Sequence, residues 1–217
     1  MNARHIFHEQ CNVDIHRGFC EHGDDDICPK LNEWTHLDGY HMIVREYGDK
    51  CAKRSGVPLI NHIHEGLKIL KEIGASEEAK EAYCIHPIIQ ADNALTNNRG
   101  LFQGHPEFFT LEENPPLISP YVMLLAMEYR FRANAFLSDK VCYDGISIEV
   151  VGDGPTLSPL REVNDMLIAD KVQNRKDFDI YHKATHARSK ELTLYFNLWL
   201  QALGVDERKY KQLIAKL

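Results

Sequence analysis

Two histidines and one aspartate, His62, His86 and Asp170, are the residues of this chain best suited to share a cation. Asp170 sits in the run Leu167-Ile168-Ala169-Asp170-Lys171-Val172, and a carboxylate among apolar neighbours is costly to bury unless it is paired or ligates a metal. Two imidazoles and a carboxylate drawn from separate helices make a three-ligand site with open positions, a donor set that suits Fe(II), Mn(II) or Zn(II). Glu65 lies one turn beyond His62. The chain holds 12 histidines, so many such triples exist and spacing alone does not single this one out.

The elements that must position these residues are helices. Asn61 is a plausible N-cap for a helix carrying Ile63, Leu67, Leu70 and Ile73 at helical spacing, with Gly74 as its stop. Ser76 opens a second helix, with Glu77 and Glu78 in the first turn, where the dipole favours acids. It runs to His86 and meets Pro87, which predicts a kink or break. Tyr121 to Leu137 reads as a third helix, and Ser158-Pro159 as the entry to a fourth, which carries Asp170. Leu192, Phe196, Trp199 and Leu203 mark a fifth helix ended by Gly204, and a last one fills Glu207 to Leu217. Between them, residues 97–120 form a long loop, and Ile146 to Val151 is a short β-like run before the turn Gly152-Asp153-Gly154-Pro155. Residues 1–46 read as an irregular arm packed on the domain, and residues 47–217 as an all-α helical domain with a small β-hairpin or irregular insertion.

Composition sets the class. A chain of 217 residues with 44% hydrophobic and 26% charged residues is an ordinary globular protein. The 25 Lys+Arg against 32 Asp+Glu leave a formal charge of -7, the wrong sign for nonspecific binding to nucleic acid. The longest apolar run, Tyr121 to Met127, falls far short of the roughly 20 residues a membrane helix needs, so no membrane association is expected. The first ten residues carry His and Glu instead of an apolar stretch, which gives no export signal. The six cysteines lack any C-x-x-C pair; reduced thiols and a cytoplasmic location are expected.

Three runs, in order, resemble a known family. Lys53-Arg54-Ser55-Gly56-Val57-Pro58-Leu59-Ile60-Asn61-His62 is similar to the entry of HD-domain hydrolases of the RelA/SpoT type, including the small alarmone hydrolases. Ile85-His86-Pro87-Ile88-Ile89-Gln90-Ala91 falls where that family has its His-Asp doublet followed by a Glu-Asp pair. Ile168-Ala169-Asp170-Lys171-Val172-Gln173-Asn174 resembles its last motif, Ala-Asp-basic-x-x-Asn. Leu194-Tyr195-Phe196 and Trp199 then resemble the aromatic helix that closes the domain. The likeness spans roughly residues 47–205, loosely over 94–160.

The resemblance implies a divalent metal held by His62, His86 and Asp170, manganese first with iron or zinc as alternatives. It implies phosphate or base contacts from Lys53, Arg54 and Ser55, and a nucleotide contact from Asn174. The activity it implies is hydrolysis of a small phosphorylated nucleotide, with cleavage of an alarmone pyrophosphate as the family model. Two departures bear on that activity. Pro87 stands where a metal-binding Asp is expected, and Gln90-Ala91 replaces the Glu-Asp pair that handles protons. Glu65 and Asp92 are the nearest substitutes for acid–base work. The alternative is an HD-fold protein that binds or sequesters a nucleotide without catalysis. An oxygenase built on the two-His-one-carboxylate set is a third reading.

Three further groups complete the sequence reading. Cys11, His16, Cys20, His22 and Cys28 are zinc-binding types without a recognisable zinc spacing and read as a loop. His182 and His186, four apart, read as a solvent-facing pair. Tyr129, Arg130 and Arg132 lie either on the cavity side of their helix or on its wet side.

Overall fold

The computed structural model describes residues 13–14, 19–20, 33–53, 55–90, 118–144 and 146–217. The chain divides into two compact units, Met1–Thr35 and His36–Leu217. In the first, β1 (Val13–Asp14) pairs antiparallel with β2 (Phe19–Cys20). The Cys and His residues considered for zinc lie outside the described residues, apart from the backbone of Cys20.

The second unit is mainly helical, as the sequence led us to expect, with seven α-helices among the described residues and one small antiparallel hairpin. Helix α1 (Asp38–Tyr47) lies in a stretch read from sequence as irregular arm, and the division between units falls before it, not at residue 46. Gly39, in the first turn of α1, serves packing and not a turn. A Cβ there would meet the Glu81 carbonyl oxygen at 2.9 Å and the Ile85 side chain at 3.0 Å. Glycine is therefore what lets α1 lie close against α3. The first turn of α1 is also capped from outside: the Gly39 N–H donates to Glu81 Oε1 at 2.9 Å, supplying an acceptor that the N-cap residue Leu37 lacks.

Helix α2 (Ile60–Glu72) starts one residue before Asn61, which lies inside it and does not cap it. Its Ile63, Leu67 and Leu70 are buried, and the helix packs chiefly against α5. Helix α3 (Glu77–Gln90) begins as expected at Ser76, whose Oγ accepts the Ala79 N–H at 3.2 Å. It does not break at Pro87 but continues three residues beyond it. Arg130 supports that last turn by donating to the carbonyls of Ile89 and Gln90 at 3.0 and 2.7 Å. The chain from residue 91 to 117, which contains most of the expected long loop, lies outside the described residues.

Helix α4 (Pro120–Ala135) packs along α3, with Ser119 as its N-cap and Leu125, Ala126 and Tyr129 facing inward. The hairpin pairs β3 (Val141–Tyr143) with β4 (Ile148–Val150). Helix α5 (Arg161–Asp177) crosses the centre and buries an unbroken run from Met166 to Gln173, polar residues included. It leads through a wider turn, Phe178–His182, toward α6 (Ser189–Ala202) and α7 (Glu207–Ile214). Among the described residues no helix is long and apolar enough to cross a membrane.

Candidate metal centre

Helices α2, α3 and α5 each deliver one side chain to a common point. His62 is in the first turn of α2, His86 is near the end of α3, and Asp170 is midway along α5. The three offer ligand atoms that all lie within 4.8 Å of one another. His62 Nε2 stands 3.3 Å from His86 Nε2 and 3.6 Å from Asp170 Oδ1. Two donors about 2.0–2.1 Å from a tetrahedral ion stand about 3.3–3.4 Å apart; the imidazole separation matches that span, and the carboxylate oxygen stands slightly beyond it.

The hydrogen bonds behind the rings say which nitrogens face inward. His62 Nδ1 lies 2.7 Å from Gln173 Oε1. The Gln173 amide is oriented without ambiguity, because its nitrogen donates to two carboxylates, Asp177 Oδ2 at 2.7 Å and Glu65 Oε2 at 3.2 Å. His62 Nδ1 is therefore a donor. His86 Nδ1 donates to the Tyr83 carbonyl at 2.5 Å. With both Nδ1 atoms committed as donors, the two Nε2 atoms converge on each other. Two nitrogen lone pairs at that separation repel unless a positive particle, a proton or a metal ion, lies between them. Such fixed imidazoles are the usual outer support of a metal site.

Electrostatics agree. Complete burial, reinforced by the charge of His62, pushes His86 down to about 3, so its ring is neutral and fit to ligate. Burial alone would raise Asp170, but the Lys171 ammonium at 2.8 Å and the two imidazoles outweigh it and hold the carboxyl at about 2. The acid is thus ionised. Asn174 donates to Asp170 Oδ1 at 2.8 Å and steers it. Lys171 lies over the Trp199 and Tyr195 rings at 5.1 and 5.7 Å, which suits a buried ammonium. The donor set, its protonation and its support fit a divalent cation.

The cluster forms one wall of a cavity of about 580 Å³, within the roughly 300–1,000 Å³ usual for small-ligand sites. Phe178, Tyr195 and Phe196 give it an aromatic side, and Ser55 and Asn174 contribute polar groups. Ser55 lies in a loop closed by Ala52 N–H to Val57 O at 2.8 Å and Gly56 N–H to Ala52 O at 2.9 Å. Gly56 takes φ +70° there, a conformation few other residues accept.

The remaining site candidates are dispersed. Lys53 is exposed and does not line the cavity, whereas Arg54 and Asp92 lie outside the described residues. Glu65, considered for acid–base work, is bound by Lys176 at 2.5 Å and by Gln173, behind His62 and away from the cavity lining. It acts on the centre through Gln173. His182 and His186 are not a solvent-facing pair: both are half-buried and line the cavity. Tyr129 is buried with its ring 4.8 Å from His86, while Arg132 pairs with Glu128.

Sequence reasoning missed Gln173, Lys171, Asp177 and Tyr83. Gln173 and Asp177 had a readable signal. Asp170, Gln173, Asn174 and Asp177 follow at i, i+3, i+4 and i+7, one polar stripe along a single helix face. Tyr83 had none, because an aromatic at helical spacing reads as core.

Comparison of the chain with protein-family models, with curated proteins and with solved structures gives no match.

Proposed function

We propose that this chain is an HD-like metal-dependent phosphohydrolase acting on a small phosphorylated nucleotide. One observation carries the reading: His62, His86 and Asp170, taken from the three runs that resemble the family's motifs, offer ligand atoms within 4.8 Å of one another at a ligand-sized cavity. A divalent cation held there, manganese first, supplies Lewis acidity and a water acidified toward neutral pH.

The chain's own groups do the rest. Phe178, Tyr195 and Phe196 stack on a base, since aromatic faces accept any nucleobase. Ser55 and Asn174 bind polar atoms of the ligand, and His182 and His186 meet its phosphate side. Asp177 is a carboxylate on the cavity lining besides Asp170, which makes it the group to orient water or accept its proton. The test is phosphate release from guanosine and adenosine nucleotides with Mn(II), in the wild type and in His86→Ala. Turnover lost in the variant supports the reading; equal turnover rejects it.

A second reading, sequestration without turnover, is favoured by Pro87 and Gln90, which line the cavity where acids would serve catalysis. Calorimetry separates the two, because tight nucleotide binding with no phosphate release supports sequestration.

A further inference from the structure

Residue 83 touches both imidazoles of the centre, and Pro87 is one helical turn beyond it. In an α-helix the N–H of residue 87 would donate to the carbonyl of residue 83. Proline has no N–H, and its ring crowds the carbonyl four residues earlier. The Tyr83 carbonyl is thereby both released from that bond and pressed aside. It is this oxygen that receives His86 Nδ1 at 2.5 Å.

The side chain of the same residue turns to the other ligand. The Tyr83 hydroxyl lies 3.4 Å from both Nε2 and the backbone oxygen of His62. Its ring is completely buried, 4.6 Å from the His86 ring and 5.7 Å from the His62 ring. Space for it comes from α2: a Cβ at Gly66 would sit 2.2 Å from three atoms of the phenol. A glycine opposite a buried tyrosine whose hydroxyl reaches a ligand is a built contact.

We propose that the turn Tyr83–Pro87 is the positioning device of the metal centre: Pro87 frees the Tyr83 carbonyl to hold His86 with Nε2 facing inward, and the Tyr83 hydroxyl, donating to the His62 backbone oxygen, holds the first turn of α2 that carries His62. Pro87 is then a positioning residue and not merely a vacant ligand position. The device rests on the metal reading for its effect on affinity, but its effect on the imidazoles exists without metal.

The test uses the full chain with Pro87→Ala, which restores the N–H and relaxes the displaced carbonyl. Nitrogen-15 spectra of the metal-free protein report which ring nitrogen of His86 carries the proton. The wild type is expected to show Nδ1–H, and Pro87→Ala to show a mixture with Nε2–H. Zinc affinity by calorimetry is expected to fall by about 10–100-fold, the usual effect of losing an outer partner. Tyr83→Phe keeps the carbonyl, so it should leave His86 as Nδ1–H while weakening zinc binding through His62. A folded Pro87→Ala with an unchanged His86 proton position overturns the proposal. So does a wild-type His86 protonated at Nε2. If the wild type binds no zinc, the metal reading fails while the nitrogen-15 arm still decides this one.

Discussion

His62 Nδ1 donates to Gln173 Oε1 across 2.7 Å, and this bond ties helix α2 to helix α5 at the centre. The glutamine is itself held by Glu65 and Asp177, with Lys176 bridging those two acids. A neutral amide thus passes the order of three charged groups to one imidazole. Gln173→Leu removes the acceptor and frees the His62 ring to rotate or change tautomer. Zinc or manganese affinity should fall by about 10–100-fold in calorimetry, with His62 losing its fixed Nδ1–H signal in nitrogen-15 spectra. An unchanged affinity would show that His62 needs no support from α5.

Gly66 and Tyr83 make a second coupled pair. Gly66→Ala places a methyl 2.2 Å from the phenol in a fully buried site. Overpacking of this kind costs about 1–3 kcal/mol, read as a lowered urea midpoint. Because the clash is with one ring, Tyr83→Leu in the same chain should recover part of the loss. The double mutant is then less destabilised than the two single effects added. Additive effects would mean that the strain lies elsewhere.

The helices could be read from apolar spacing because α2 and α6 each bury one side at a 3.6-residue period. Helix α1 could not, since only Gly39, Tyr40, Met42 and Ile43 are buried in it and its cap comes from Glu81 on another helix. His62, His86 and Asp170 could be picked out only together with the motifs around them. The support behind them was hidden for a physical reason: a hydrogen bond from His62 to Gln173 spans 111 positions, and no local pattern encodes it. Pro87 misled in the opposite direction, because a local rule predicted a break. Bonds from His86 to Tyr83 and from Arg130 to the last carbonyls keep the helix whole.

Glu81 predicts a pH effect with a defined sign. Burial lifts its carboxyl above the ordinary value, against the Gly39 N–H, which pulls it down. A group whose folded pKa is raised adds stability that is complete below the unfolded value, near 4.5, and is lost as pH rises through the folded value. At neutral pH the ionised Glu81 therefore costs stability while capping α1. Glu81→Gln keeps an acceptor for Gly39 and removes the charge. It should melt higher than the wild type at pH 7, with the advantage gone by about pH 4.5. Glu81→Ala loses the acceptor and should cost about 1 kcal/mol at either pH. A Glu81→Gln advantage that persists into acid would contradict the assignment.

Lys171 and Asp170 form a buried pair, with side chains 7% and 6% exposed, beside the converging imidazoles. Removing one partner of such a pair leaves the other charge uncompensated, at a cost of about 3–5 kcal/mol. Lys171→Met keeps the length and apolar stem that pack on Trp199 and Tyr195 but withdraws the ammonium. The metal-free variant should melt well below the metal-free wild type. A cation at the centre replaces the missing positive charge, so saturating Mn(II) or Zn(II) should raise the variant's melting temperature more than the wild type's. That larger gain follows because a ligand stabilises the folded state according to its affinity for it, and an uncompensated Asp170 binds a cation more tightly. Equal gains in the two proteins would mean that Asp170 does not face the cation.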